Sequence, residues 1–193
     1  MIEGNYGSLP VDVRFEGHAI VSADGMIAAA DGSMPAALRN EADWQQFQAA
    51  LDASVLVVVG RLGHAAHPGR ARRRLVLTSG VADLAPDAAD PRALLFNPKG
   101  TTLEMALARA GIASGTIAVT GGTRVFDYFL PLLGQFELAE VNGLVIPGGR
   151  PCFPTGHPRA VLAASGMLPV RFAPIDAKAG VTLTRWQRPK AIS

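Results

Sequence analysis

The stretch Thr116–Pro131, TIAVTGGTRVFDYFLP, reads as a buried strand, a Gly-Gly turn and a helix that starts at once. Ile117–Val119 is short, apolar and partly β-branched, as a fully buried strand is. Gly121 and Gly122 let backbone N–H groups approach a phosphate with no Cβ in the way. Thr123 is placed to cap the helix, whose first turn adds unsatisfied donors and the positive end of its dipole. A tight strand–helix turn needs glycine for steric reasons as well, so the turn alone leaves a structural and a phosphate-binding reading open. The chain has neither G-x-G-x-x-G nor G-x-x-x-x-G-K-[ST], which excludes the common dinucleotide fingerprint and the P-loop.

Outward from this stretch, strand and helix patterns alternate. His18–Ser22, Val55–Gly60, Leu75–Thr78 and Ala93–Phe96 are further short apolar runs, and Phe136–Val141 and Val181–Arg188 alternate apolar with polar residues. Helical patterns fall at Glu41–Leu51, Thr102–Arg109 and Thr123–Leu130. This alternation predicts an α/β, three-layer fold with a mostly parallel central sheet. Phe136–Val141 and Val181–Arg188 are expected to form an antiparallel C-terminal edge. Gly63–Gly69, Val81–Pro91 and Pro147–Pro158 read as loops. Residues 1–12 carry no clear element and are expected as an N-terminal arm or a packed irregular lead-in, with residues 13–193 a single domain.

Composition narrows the function classes. The chain has 193 residues, of which 49% are hydrophobic and 18% charged, which argues for a packed globular core and against disorder. The N-terminus lacks the pattern of a signal peptide and no apolar run reaches membrane-spanning length, so the expected location is cytoplasmic with no membrane partner. The net charge is +2, and four arginines fall at Arg70 and Arg72–Arg74. Aromatics are only 6%, so the cluster points to a phosphorylated ligand or a solvated arm and not to nucleic acid. The four histidines show no metal-ligand spacing, His64 and His67 read as solvated loop residues, and the lone Cys152 reads as a packed small residue. No metal is expected.

Several blocks, in order, resemble the dihydrofolate reductase superfamily. VTGGTRVFDYFLP resembles its cofactor-binding turn and helix. AIVSADGMIAAADGSMP (Ala19–Pro35) resembles its first strand and mobile loop, in a form closer to the reductase domain of the bifunctional riboflavin-biosynthesis deaminase/reductase. VLVVVGR (Val55–Arg61), PGRARRRLVLTS (Pro68–Ser79) and FELAEVNGLVIPGGRPCFP (Phe136–Pro154) resemble its later strands and loops. The chain shows no H-x-E…P-C-x-x-C signature of the deaminase half.

The resemblance implies a dihydrofolate-reductase-like fold and an NADPH-dependent reductase of a small nitrogen heterocycle. It places the cofactor pyrophosphate against Gly121, Gly122, Thr123, Arg124 and Val125, and the adenosine 2′-phosphate against Arg61, Thr78 and Ser79. A guanidinium with hydroxyl donors suits a phosphate, whereas a bare ribose calls for a carboxylate. A solvated arginine at a strand end is the competing reading of Arg61. Relatives often carry a hydroxyl residue two positions after that arginine, and here Gly63 stands there. Ala19, Phe47 and Arg70 fall at substrate-binding positions, and a homodimer is expected.

Hydride transfer to a ring carbon needs a proton at the neighbouring nitrogen, and an acid in an apolar cleft suits that role. Asp43, sharing a helix face with Phe47 and Leu51, is the first candidate; as the fourth residue of N-x-x-D it also reads as part of a helix cap. Asp24, in S-A-D-G, is the second, and Asp-Gly is equally good turn chemistry. The SADGMIA loop and the arginine cluster favour a phosphorylated ribosylamino-pyrimidine of the riboflavin type. Pro68-Gly69-Arg70 favours a folate or pterin, while Ala139 replaces the hydroxyl that assists a pterin-binding acid. A nucleotide-binding protein without catalysis is the alternative of a different class.

Overall fold

The computed structural model describes residues 4–67 and 71–189. Along the chain run β1 (Asp12–Ser22), β2 (Met26–Ala28), α1 (Glu41–Asp52), β3 (Leu56–Gly60), α2 (Arg61–Ala66), β4 (Arg74–Leu77), β5 (Leu84–Pro86) and β6 (Ala93–Phe96). There follow α3 (Leu103–Arg109), β7 (Ser114–Val119), α4 (Thr123–Phe129), β8 (Leu133–Val141), β9 (Arg150–Pro151), α5 (Pro158–Ala164), β10 (Leu168–Asp176) and β11 (Val181–Gln187). Nine strands form one sheet in the order β10-β11-β8-β1-β7-β3-β4-β6-β5, and β2 pairs with β9 in a small separate ribbon.

The sheet is parallel from β8 across to β6, with β10, β11 and β5 antiparallel at its two sides. Its two faces are unequal. One is sealed by α3, α4 and α5 through a continuous core that includes Leu107, Phe126, Phe129, Phe136, Phe153 and Leu162. The other is covered more thinly, by α1 and the segment around Leu38. Its apolar contacts are two small groups, Leu51/Val57/Ala118 and Ile20/Leu38/Ala139/Val141/Val181. Close packing on one face and thin cover on the other leave space for a ligand beneath α1. Among the described residues no helix is long and apolar enough to cross a membrane.

The structure corrects several expectations. Phe136–Val141 belongs to β8, which runs parallel to β1; the antiparallel side begins only at β11. The stretch expected as a loop from Gly63 begins inside α2, and the loops at Val81–Pro91 and Pro147–Pro158 contain β5 and β9. β10 was not expected at all. Pro169 and Pro174 argue against a strand, yet β10 is an edge strand with register shifts beside both prolines, where a missing N–H is tolerated. Gly122, not Thr123, occupies the cap position of α4, and the Thr123 hydroxyl instead donates to the Pro151 carbonyl. Of the two arrangements expected for the N-terminal segment, the described residues from Gly4 on show the packed one: the Tyr6 hydroxyl donates to the Tyr128 carbonyl at 2.5 Å, and the two rings meet edge to face at 5.1 Å.

Candidate active site

The C-terminal ends of β3, β4 and β7 and the underside of α1 enclose a cavity of about 1230 Å³. In parallel α/β sheets ligands bind at such strand ends, where loops diverge and leave a crevice. One half is built around the Gly-Gly turn. Gly121 has φ +95°, and a Cβ there would lie 2.6 Å from the Phe126 ring. Its carbonyl accepts from Gly60 N–H at 2.9 Å, which fastens the turn to the end of β3. Thr120 secures the same junction, its backbone N–H and its hydroxyl both donating to the Val58 carbonyl at 2.9 Å. The Gly121–Gly122 peptide is cis. A Cβ on Gly122 would meet only Ile27, at 3.9 Å, because the space in front of it is the cavity.

Arg61 opens α2, Thr78 and Ser79 follow β4, and both groups line the cavity with Gly121, Gly122, Thr123, Arg124 and Val125. Arg61 and Arg124 are exposed and make no ion pair or hydrogen bond with the described residues. The Thr78 hydroxyl accepts from Gly80 N–H at 3.0 Å. Gly63 sits on α2 against β3, where a Cβ would come within 2.9 Å of Val59 Cγ2; glycine stands there for packing.

The other half lies beneath α1 and is lined by Ala19, Ile20, Ile27, Asp43 and Phe47. The two readings of Asp43 separate here. Asn40 is the helix cap, its side-chain oxygen accepting from Asp43 N–H at 3.1 Å. The Asp43 carboxylate has no hydrogen-bond or ion-pair partner among the described residues, and burial alone pushes its pKa up to about 6. It is an acid held at the cavity wall with a proton affinity close to neutral pH.

Asp24 is not brought to the cavity. Its carboxylate accepts from the Ser22 hydroxyl at 2.5 Å and from Ile146 N–H at 3.2 Å, which ties the β1–β2 turn to the loop after β8. The Ser22 hydrogen bond holds its pKa below the ordinary range, the opposite of what a proton donor needs. Arg70 lies outside the described residues. The other arginines of the cluster are engaged within the fold, and Arg72 and Arg74 both border the cavity. Arg72 pairs with Asp52, Arg73 bonds the Ala110 carbonyl, and Arg74 is buried.

His64, expected as a solvated loop residue, is instead set on α2 between Arg74 and Asp87. Arg74 Nη1 donates to its Nδ1 at 3.0 Å, and its Nε2 lies 2.7 Å from Asp87. Sequence spacing could not show this relay, because its members come from a helix, a strand and a loop. Cys152 is fully buried, and burial raises its thiol pKa well above the usual value.

No protein-family profile and no curated protein matches the chain. Solved structures do. A protein from Shewanella sp. PV-4 assigned to riboflavin biosynthesis superposes with TM-score 0.65 at 17% identity, covering 92% of this chain and 99% of that one. Dihydrofolate reductase from Enterococcus faecalis, complexed with NADP(H) and RAB-propyl, gives TM-score 0.65 at 19% identity, over 92% and 97%. The chain has the dihydrofolate-reductase-like fold.

The diaminohydroxyphosphoribosylaminopyrimidine deaminase/5-amino-6-(5-phosphoribosylamino)uracil reductase of Thermotoga maritima has the same fold, with TM-score 0.63 at 15% identity; the match covers 92% of this chain and 57% of that one. Within the dihydrofolate-reductase-like fold, the Gly-Gly turn, Arg61, Thr78, Ser79, Asp43, Phe47 and Ala19 share one cavity, and Asp24 stands apart.

Proposed function

We propose that the chain is an NADPH-dependent reductase of a small nitrogen heterocycle, with an aminopyrimidine of the riboflavin-precursor type as first candidate and a dihydrofolate or pterin as second. The observation that carries this reading is the single cavity that joins an open Gly-Gly turn to an unpartnered carboxyl. The residues suit the cofactor: the space before Gly122 is free of side chains, and Arg61 and Arg124 are cations without partners among the described residues. The backbone of Gly121 and Gly122, with Arg124, would hold the pyrophosphate, and Arg61, Thr78 and Ser79 the 2′-phosphate. NADPH supplies the hydride. Asp43 supplies the proton, and the low polarity around it keeps a fraction of the carboxyl protonated near pH 7. Phe47 and Ile20 exclude water around the reacting ring.

Calorimetric titration of NADPH and NADH into the purified protein tests the cofactor assignment. A preference for NADPH of at least about tenfold is expected, because a charge-assisted bond to a dianion is worth about 1.5–3 kcal/mol. Arg61→Ala should remove most of that preference and leave NADH binding unchanged. Absence of binding by either nucleotide would sink the reading.

A homodimer is proposed as well. The outer strand β10 exposes Leu168, Val170 and Phe172, the last at 63%. An apolar edge strand of this kind is normally covered. Sedimentation should give twice the mass of the chain, and Phe172→Glu should return it to a monomer; a monomeric wild type at micromolar concentration would refute the dimer.

A further inference from the structure

Three adjacent parallel strands end at one level. Gly60 of β3 stands opposite Leu77 of β4, and Leu77 opposite Phe96 of β6. The next residues along the chain are Arg61, Thr78 and Asn97. Arg61 and Thr78, with Ser79, are the residues assigned to the cofactor's 2′-phosphate. The end of β6 lines the same cavity beside them, through Asn97, Pro98 and Lys99.

The turn after β6 is built around Asn97. Its side-chain amide donates to the Val81 carbonyl at 2.8 Å and to the Ala82 carbonyl at 3.3 Å. Its side-chain oxygen accepts from Lys99 N–H at 3.1 Å, and its backbone N–H donates to the Asp83 carbonyl at 2.7 Å. Both amide hydrogens and the amide oxygen are thereby engaged, so one side chain fastens the 97–100 turn to the segment that follows Ser79. The two segments touch closely: a Cβ on Gly100 would lie 1.9 Å from the Ala82 carbonyl oxygen.

Lys99 is thus fixed by its backbone, while its side chain is exposed and makes no hydrogen bond or ion pair with the described residues. No carboxylate answers its charge in the cavity. The acidic lining residues are Glu16, Asp43 and Glu137, on β1, α1 and β8, and none stands at the ends of β3, β4 or β6. This end of the cavity therefore suits an anion, and position says which one. Neighbouring strands lie about 4.8 Å apart, so the turn after β6 is one strand from Thr78, two from Arg61, and about 14 Å from the Gly-Gly turn after β7. A lysine stem reaches across the first gap and falls short of the pyrophosphate. On α2 no second donor follows Arg61: Gly63 has no side chain, and a Cβ there would come within 2.9 Å of Val59 Cγ2.

We propose that Lys99 is a further specificity-determining residue, a second cation for the phosphate on the adenosine ribose, and that Asn97 is its positioning residue. A compact ammonium with three donors closes the side of the phosphate away from the Arg61 guanidinium, with the Thr78 and Ser79 hydroxyls between them. The proposal rests on the cofactor half of the reading above and is independent of Asp43 and of the heterocycle reduced.

The test uses probes that carry only the adenosine end: adenosine 2′,5′-bisphosphate, its 3′,5′ isomer and 5′-AMP, titrated by calorimetry beside NADPH and NADH. The wild type should bind the 2′,5′ compound more tightly than the other two. Lys99→Met keeps the length of the side chain and removes its charge, and at an exposed position it leaves the core intact. It should weaken the 2′,5′-bisphosphate and NADPH by about 5–10-fold, with 5′-AMP and NADH unchanged. Lys99→Arg should recover most of the loss. Asn97→Ala should cost NADPH a few-fold in the wild type and nothing further in Lys99→Met, the non-additivity expected of a residue that acts through another. Equal losses for NADPH and NADH in Lys99→Met would show a general field effect and overturn the proposal. Additive losses would overturn the role given to Asn97. A wild type that binds NADPH with an affinity indifferent to Lys99→Met refutes this proposal alone. One that binds the 2′,5′-bisphosphate in a Lys99-dependent way but not NADPH refutes the reductase reading alone, and one that binds neither refutes both.

Discussion

Asp43→Asn is expected to lose about 10²–10⁴-fold in turnover and yet to unfold at a higher temperature than the wild type at pH 7.5. Both effects have one cause. The Asp43 carboxyl faces the cavity without a partner, and burial raises its pKa from 3.8 in the unfolded chain to about 6. Below pH 3.8 both states are protonated and the group contributes nothing to the pH dependence. As pH rises from there, the unfolded chain ionises first, so stability falls until the folded carboxyl also ionises near pH 6, and the cost is constant above that. Because the group is only half-buried, solvent screening reduces this cost to about 1–2 kcal/mol. That corresponds to a rise in Tm of roughly 2–8 °C for the asparagine variant, shrinking toward zero at pH 4. The same titration predicts that wild-type turnover falls about tenfold per pH unit above pH 6–7, as the proton donor is lost. Thermal melts at the two pH values, with NADPH oxidation measured beside them, check the pair. An active variant would remove Asp43 from the mechanism, and a variant less stable at pH 7.5 would show that its carboxylate has a structural partner.

Gly121→Ala should be the most damaging conservative change in the Gly-Gly turn, and Gly122→Ala should separate folding from binding. Gly121 combines a φ of +95° with a methyl position 2.6 Å from the Phe126 ring, and Phe126 is packed in the main core. Backbone strain of about 1–3 kcal/mol adds to about 1–3 kcal/mol of overpacking. The variant should therefore lose several kcal/mol of stability, read as a lower midpoint in urea. Gly122 is different. Its nearest neighbour to an added methyl is 3.9 Å away, so Gly122→Ala should fold with near wild-type stability. The methyl would project into the space assigned to the pyrophosphate, and NADPH affinity should drop by about 10-fold or more. If Gly122→Ala binds NADPH normally, the turn is a structural feature and the cofactor lies elsewhere.

Legibility followed the locality of each signal. The strands at Val55–Gly60, Ala93–Phe96 and Thr116–Thr120 and the helices at Glu41–Leu51 and Thr102–Arg109 were readable because buried parallel strands and amphipathic helices write their burial into consecutive residues. β10 was not readable. Its prolines and exposed apolar residues make sense only at the edge of a sheet, a position set by β11 and not by its own sequence. The parallel course of β8 was missed for a similar reason, since direction depends on the crossover that places it beside β1. Within the candidate site, Gly121, Gly122 and Arg61 were picked out by residue type next to a strand end, and all three line the cavity. His64 did not, because its partners Arg74 and Asp87 lie 10 and 23 residues away.

The sequence by itself determined the α/β class, the Gly-Gly turn and the helix that carries Asp43, since each rests on periodicity or backbone sterics within a dozen residues. Tertiary structure alone decided which carboxylate is available: Asp24 and Asp43 are equivalent acids in the chain, but Ser22 and Ile146 occupy the first and nothing described occupies the second. It also decided that Arg61, Thr78 and Asn97, each following a different strand, stand at one level. Strand register across a sheet is a non-local property, and it is register that turns three scattered residues into one wall of a cavity.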